Sequence, residues 1–161
     1  MNRHLQLVRE YHQVFQLPQA EFGADERLSD MDVIMRQALL MEEGGRLFKA
    51  LKSGDMVQIL GGLVSLAYSA LGAIAIQGSD VQDRPVVWHN DGYVVSLMRL
   101  LSDKINACSD GGSDHYSEVY NLCLSLARDF INADFDKAMQ RIHDSRMSHL
   151  KASDLSDCLY E

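Results

Sequence analysis

Apolar residues along this chain recur with the spacing of an α-helix, and no segment shows the two-residue alternation of a β-strand. The clearest pattern covers residues 30–78 and predicts two long helices. Asp30 or Asp32 can cap the first helix. Its apolar positions are Ile34, Ala38, Leu39, Leu47 and Leu51. Residues 53–55, Ser-Gly-Asp, end this helix and cap a second one, residues 56–77. Because the link is so short, we expect an antiparallel hairpin.

The rest of the chain predicts four further helices around this hairpin. They cover about residues 3–16, 91–108, 113–130 and 134–150. The last eleven residues, 151–161, are expected to form a loosely held tail. The stretch Trp88-His89-Asn90 either lines a site or fills a corner of the fold. The prediction is therefore one all-α domain over residues 1–161, a helical bundle of about six helices built on the hairpin.

The second hairpin helix contains no charged residue and is long enough to span a bilayer. No cluster of Lys or Arg and no aromatic belt flanks it, as a membrane span would require. The other helices are amphipathic in the manner of soluble proteins. We therefore expect no membrane span, and a helix buried on all sides in a bundle or in a homodimer or higher homo-oligomer.

Each hairpin helix carries a glycine pair, Gly44-Gly45 and Gly61-Gly62. Glycine inside a helix costs about 1 kcal/mol relative to alanine, so the four cost roughly 3–4 kcal/mol. Counted outward from the turn, the two pairs lie at nearly the same height. Missing side chains there permit either tight packing of the two helices or an open hollow, and the sequence leaves both alternatives open.

Composition and charge narrow the range of partners and compartments. The net charge of −8, the pI near 5.1 and the scattered basic residues argue against nucleic acid as a partner. Cys108, Cys123 and Cys158 are odd in number and lack paired spacing, which favours reduced thiols and a cytoplasmic location. The N-terminus leads directly into an amphipathic helix rather than into a signal peptide.

No motif for phosphate-binding loops, paired zinc-binding cysteines or a serine nucleophile elbow is present. The one acidic pair beside the possible hollow is Glu42-Glu43. On its own this pair is typical of a solvated helix surface. Glu42 and Arg46 would form an i,i+4 ion pair there, which stabilises a helix by about 0.2–0.5 kcal/mol.

A set of motifs nevertheless resembles a known family. The motifs are Val8-Arg9-Glu10-Tyr11-His12, residues 36–43 (Arg-Gln-Ala-Leu-Leu-Met-Glu-Glu), residues 50–55 (Ala-Leu-Lys-Ser-Gly-Asp), Leu66-Ala67-Tyr68 with Gly72 and Gly78, and residues 142–150 (Ile-His-Asp-Ser-Arg-Met-Ser-His-Leu). Together they resemble the all-α nucleoside-triphosphate pyrophosphohydrolases, which include MazG-like proteins and the phosphoribosyl-ATP pyrophosphohydrolase-like branch. Such enzymes cleave a nucleoside triphosphate to the monophosphate and pyrophosphate with Mg²⁺.

The resemblance implies a cluster of five carboxylates, Glu-Glu-x-x-Glu on one helix and Glu-x-x-Asp on the next, which hold Mg²⁺ and position the attacking water. Glu42 and Glu43 match the first two and are the implied catalytic and metal-binding residues. Arg46 stands at the third position, and Gly62 and Ser65 stand at the last two. In the closing motif, Arg146 and His149 replace the Asn and Lys that the family usually carries.

Three hypotheses follow from this departure. The first is a family member with impaired catalysis that still binds a nucleotide, with Arg36, Arg46, Lys49 and Arg146 as candidate contacts to substrate. The second is an active nucleotide pyrophosphohydrolase with an altered ligand set, whose missing acids come from the 19–32 loop or a partner subunit. The third is a structural module that oligomerises through residues 56–77 and binds no ligand.

Overall fold

Six α-helices form the protein in the computed structural model, which describes residues 1–148 and 155–160. They are α1 (Arg3–Val14), α2 (Asp30–Ser53), α3 (Met56–Gln77), α4 (Val94–Ala107), α5 (Ser113–Asp129) and α6 (Phe135–Ser148), with short 3-10 helices at Cys108–Asp110 and Ser156–Cys158. Within the described residues there is no strand, only an isolated bridge between Ala133 and Leu159. The predicted all-α helical bundle is confirmed.

The hairpin α2–α3 forms for the predicted reasons, apart from the cap of α2. That cap is Ser29, whose hydroxyl accepts a hydrogen bond from the backbone N–H of Asp32, and not Asp30 or Asp32. The two aspartates instead occupy the first turn, where negative charge favours the helix dipole. Gly54 ends α2 in the left-handed conformation, with φ of 72°. The carboxylate of Asp55 then caps α3.

Helix α3 is the central element of the bundle, and α1, α2, α5 and α6 all contact it. Among the described residues it alone is long and apolar enough to cross a membrane, with a mean hydropathy of 2.0, but 72% of that apolar window is buried inside the protein. The core helix of a bundle has the same properties. Because the chain's own helices cover most of α3, burial within one copy is enough to account for its lack of charge.

Helix α2 buries the predicted stripe in its second half but not in its first. Its buried side chains include Leu40, Leu47 and Leu51, whereas Ile34 and Ala38, which we expected to face the core, are exposed. The first half of α2 carries apolar residues on nearly every face, so periodicity alone does not determine its orientation there.

Of the four glycines, two permit tight packing of the helices and two border open space. A Cβ on Gly44 would lie 2.9 Å from Cδ1 of Ile105, and one on Gly62 would lie 3.0 Å from Cδ1 of Leu47, so these two glycines permit close packing. A Cβ on Gly45 would meet nothing within 4 Å, and one on Gly61 would make an ordinary 3.9 Å contact with Leu155. Each pair therefore contains one packing glycine and one open glycine.

The end of the chain is more ordered than the sequence suggests. Leu155 and Cys158 are buried, and the carbonyl oxygen of Cys158 accepts a hydrogen bond of 2.8 Å from the N–H of Asp134. The expectation of a loosely held tail is thus wrong for Leu155 and Cys158, which join the core at α3 and α6, whereas Ser156, Asp157 and Tyr160 are exposed. Residues 151–154 and 161 lie outside the described part, as do His149 and Leu150.

The structure also shows the surroundings of Trp88-His89-Asn90 and of the three cysteines. The indole N–H of Trp88 donates a 2.9 Å hydrogen bond to Ser125, and its ring meets Phe130 edge-on, while His89 and Asn90 are exposed. Trp88 therefore fills a corner against α5. All three cysteines are buried and free.

Candidate functional site

A shallow cavity lies between α2 and α3, where the sequence places the acidic pair opposite small residues. Its volume is about 260 Å³. From α2 it is lined by Glu43, Arg46, Lys49 and Ala50, and from α3 by Gln58, Gly61, Gly62 and Ser65. The antiparallel hairpin creates this arrangement, because residues at similar distances from the Gly54 turn come to the same height.

Arg46 bridges both glutamates of the acidic pair. Its Nη2 lies 2.9 Å from Oε1 of Glu42, and its Nη1 lies 3.5 Å from Oε1 of Glu43. The side chains of Glu42 and Arg46 are more than half exposed, whereas that of Glu43 is only 14% exposed. Exposed ion pairs of this kind contribute only about 0.2–1 kcal/mol, so the guanidinium is held loosely.

The charges around the cavity do not fit a divalent cation. Glu42 and Glu43 contribute two negative charges, both paired with Arg46, and Arg46 and Lys49 contribute two positive charges. Magnesium takes six oxygen ligands in octahedral geometry, commonly several waters with one or two carboxylates and substrate phosphates. Here the carboxylates of Glu42 and Glu43 are both paired with Arg46, whose guanidinium repels a cation at the same place. The Mg²⁺ that the family resemblance implies has no adequate ligand set among these residues.

Close packing at Gly62 leaves no room on α3 for the carboxylate that the family resemblance implies at that position. A Cβ there would lie 3.0, 3.1 and 3.3 Å from Cδ1, Cα and Cβ of Leu47. Since the Leu47 backbone is one of these neighbours, a glutamate could be accommodated only if α2 and α3 moved apart. Glycine at this position and the close approach of the helices are therefore linked.

Arg36, one of the candidate substrate contacts, lies at a different place in the bundle. Its Nη1 is 2.8 Å from the position that a Cβ on Gly72 would occupy, and Nε2 of His12 is 3.5 Å from the same position. Burial lowers the pKa of Arg36, opposed by Tyr116 and Asp32. Among the described residues no carboxylate forms an ion pair with Arg36. It does not line the α2–α3 cavity.

Arg146, the candidate contact from the closing motif, stacks on an aromatic ring instead of lining the cavity. Its Cζ lies 4.1 Å from the ring centroid of Tyr68, one helical turn beyond Ser65. Burial raises the pKa of Tyr68, whose hydroxyl lies 3.1 Å from Nδ1 of His143. Nε2 of His143 in turn lies 3.4 Å from Oε1 of Glu10. Glu10 and His143 belong to separate sequence motifs, and spacing along the chain does not predict that they meet.

A second polar cluster, which the sequence analysis missed, lies at the start of α5. One ligand atom from each of Asp110, Asp114 and His115 falls within 4.8 Å of the others, a spacing that could hold a metal ion. Nε2 of His115 lies 3.0 Å from Asp110, and Glu118 beside it is paired with Arg84 and Lys104. Ion pairs within the cluster thus account for its geometry.

No family model, no curated protein and no solved structure matches this chain. The resemblance to the nucleoside-triphosphate pyrophosphohydrolases therefore rests on the sequence motifs alone.

Proposed function

We propose that the chain binds the phosphate groups of a nucleotide in the α2–α3 cavity through Arg46 and Lys49, without metal-dependent hydrolysis. The observation that carries this proposal is the pair of basic side chains in the cavity lining: Arg46, whose ion pairs with Glu42 and Glu43 are on the surface, and Lys49. Guanidinium and ammonium groups form short, charge-assisted hydrogen bonds with phosphate oxygens.

Binding requires Arg46 to exchange its glutamate partner for a phosphate, and its weak surface ion pair permits this exchange. Arg46 is 64% exposed and holds Glu42 through an ion pair on the surface of α2. A phosphate that offers two oxygens can replace this partner at little cost, since the glutamate returns to water. Lys49 lines the same cavity, and none of the described carboxylates lies within ion-pair distance of it. Ser65 adds a hydroxyl donor from α3.

Calorimetric titration with a panel of nucleoside triphosphates tests the proposal. Replacing Arg46 by Gln removes one charge-assisted contact of about 1.5–3 kcal/mol, so the Kd should rise by roughly 10- to 100-fold. The matched control is Arg99→Gln, an exposed arginine on α4, which should leave the affinity unchanged. Equal affinities for the wild-type protein and the Arg46→Gln variant would exclude Arg46 as the phosphate contact.

Retention of Glu42 and Glu43 favours the active pyrophosphohydrolase as the second candidate function. Pyrophosphate release from the same nucleotide panel at millimolar Mg²⁺ or Mn²⁺ separates the two. We expect no release above background. Release that disappears in the Glu43→Gln variant would establish the active enzyme instead.

A further inference from the structure

Another cavity lies where the start of α1, helix α5 and the start of α6 meet. Its volume is about 460 Å³, within the range of roughly 300–1,000 Å³ that is usual for small-molecule sites. We call it the α1–α5 cavity. Among the described residues that line the α1–α5 cavity and the α2–α3 cavity, none is common to both. Binding here is therefore independent of the proposed nucleotide contacts.

Three rings form one wall of the α1–α5 cavity, those of His4, Tyr120 and Phe135. The ring centroid of His4 lies 5.8 Å from that of Tyr120 and 5.4 Å from that of Phe135, and the last two lie 6.5 Å apart. Their planes are steeply inclined to one another, so ring edges meet ring faces. Aromatic rings prefer such contacts, and Leu124 adds an aliphatic side chain to the lining. This wall therefore favours a ligand with a planar aromatic ring.

Polar contacts hold the wall in place. His4 is only 4% exposed, and its Nδ1 lies 2.7 Å from the hydroxyl of Tyr120. Its Nε2 lies 2.7 Å from Oδ1 of Asp136, but no described residue is aligned to accept a hydrogen bond from it. Burial lowers the pKa of His4, against the opposing Asp136, and raises the pKa of Tyr120. Buried groups with shifted pKa values beside a cavity are typical of ligand sites, and a fixed wall loses little freedom on binding.

Two arginines stand at the open side of the cavity. The side chains of Arg3 and Arg128 are 72% and 70% exposed. Arg3 pairs with Asp136 through Nη2, and Arg128 pairs with Asp129 through Nε and Nη2. In the described part of the chain, no acceptor meets Nη1 of either guanidinium. Since exposed ion pairs of this kind are weak, both arginines have donors left for an anion.

The two carboxylates that line the cavity already have partners. Asp136 faces Arg3 and His4, and Asp134 accepts a 3.1 Å hydrogen bond from the backbone N–H of Lys137 at the start of α6. Their negative charge is thus compensated within the protein, whereas N–H donors remain open on the arginines. The lining therefore favours an anionic ligand over a cationic one.

From this lining we infer that the α1–α5 cavity binds a small aromatic carboxylate, with its ring against the wall of His4, Tyr120 and Phe135 and its carboxylate at Arg3 and Arg128. Guanidinium and carboxylate groups form short, charge-assisted hydrogen bonds. None of the motifs that resemble the pyrophosphohydrolases contains these five residues, so the site is not one that the resemblance implies.

Titration with 2-naphthoate, followed by proton–nitrogen correlation spectra, tests the inference. We expect shifts at the backbone amides that border the α1–α5 cavity. Two related compounds separate the contributions of charge and ring. The alcohol 2-naphthylmethanol keeps the rings and lacks the charge, whereas decahydronaphthoate keeps the charge and lacks the planar rings. The Kd should be about 10-fold higher for the alcohol and several-fold higher for decahydronaphthoate.

Two variants locate the contacts. Arg128→Gln should raise the Kd of 2-naphthoate by about 10-fold, since one charge-assisted contact is lost. The matched control Arg99→Gln, an exposed arginine on α4, should leave the Kd unchanged. Leu124→Trp should fill the cavity and abolish the shifts without removing a charge. Circular dichroism establishes that the helices persist in each variant.

Three results would overturn the inference. The first is the absence of shifts at the cavity amides with millimolar 2-naphthoate. The second is a Kd that neither Arg128→Gln nor Leu124→Trp changes, which would place the bound compound elsewhere. The third is equal affinity for the carboxylate and the alcohol, which would remove the role of the arginines.

Discussion

A single glycine determines how closely the two hairpin helices approach each other. At Gly62 an added Cβ would press on both the side chain and the backbone of Leu47, at 3.0–3.3 Å. Alanine at this position gains helix propensity of about 1 kcal/mol, but forcing packed helices apart costs about 1–3 kcal/mol. We expect Gly62→Ala to lower the free energy of unfolding, as measured by urea denaturation.

The adjacent glycine provides the matched control for this prediction. A Cβ on Gly61 would make only a 3.9 Å contact with Leu155, so Gly61→Ala should raise the free energy of unfolding by about 0.5–1 kcal/mol. Opposite signs for two neighbouring glycines of α3 are the specific signature of the packing. If both variants are stabilised alike, the helices are not in close contact at Gly62.

His12 should make stability depend on pH. A carbonyl oxygen only accepts hydrogen bonds, so the 3.0 Å bond between Nδ1 and Pro18 O requires the proton on Nδ1 and leaves Nε2 toward Gly72 and Arg36. Burial lowers the pKa of His12 from 6.5, and the nearby Arg36 and Arg9 lower it further, against the opposing Pro18 hydrogen bond. The unfolded chain therefore binds more protons, and stability should be full above pH 6.5 and decrease as the pH falls below that value toward the folded-state pKa.

The His12→Asn variant tests this dependence, because the asparagine amide can still donate to Pro18 but does not titrate. Its free energy of unfolding should vary less steeply with pH below 6.5 than that of the wild-type protein. Part of the dependence should remain, since burial also lowers the pKa of His4. Identical pH profiles would show that His12 does not contribute.

At the scale of helices, the sequence determines the hairpin well because the signals at its turn are local. Gly54 and Asp55 end and restart the helix in a way that depends only on neighbouring residues. Distance from that turn is also enough to bring Glu43 opposite Gly62 and Ser65. Which side of the first half of α2 faces the core could not be predicted in the same way. Its apolar residues lie on nearly every side of the helix there, at Met31, Val33, Ile34 and Met35.

The contacts of Arg36 and Arg146 could not be predicted from the motifs that contain them. Both belong to stretches that resemble the family, yet Arg36 lies beside Gly72 and Arg146 lies on Tyr68. Long side chains reach several directions from one backbone position, and the neighbouring helices decide among them. Since those neighbours come from distant parts of the chain, spacing within one motif does not predict which residues the arginine side chain contacts.

The last described segment also depends on a distant contact. Leu155 is 4% exposed and meets α3 at Gly61, so its removal should leave a cavity. We expect Leu155→Ala to lower the free energy of unfolding by about 2–4 kcal/mol in urea denaturation. Leu17→Ala, in a more exposed leucine before α2, serves as the control. An unchanged stability for Leu155→Ala would restore the loosely held tail that the sequence suggested.

For the molecule as a whole, the uncharged helix α3 has a simple physical role. Its surface is removed from water by α1, α2, α5 and α6, which makes it the core around which the bundle is organised. The sequence identifies such a helix but not what covers it, because a lipid bilayer, a partner and the chain's own helices all demand apolar side chains. Only the arrangement of the other helices distinguishes these possibilities.

We propose that Arg46 and Lys49 of the α2–α3 cavity, and not bound metal ions, hold the phosphate groups. Calorimetric titration of one nucleoside triphosphate, first with EDTA and then with millimolar Mg²⁺, tests it most directly. Because Mg²⁺ reduces the negative charge of the ligand, we predict binding without Mg²⁺ at an affinity equal to or higher than that with Mg²⁺. Binding that occurs only when Mg²⁺ is present would contradict the claim.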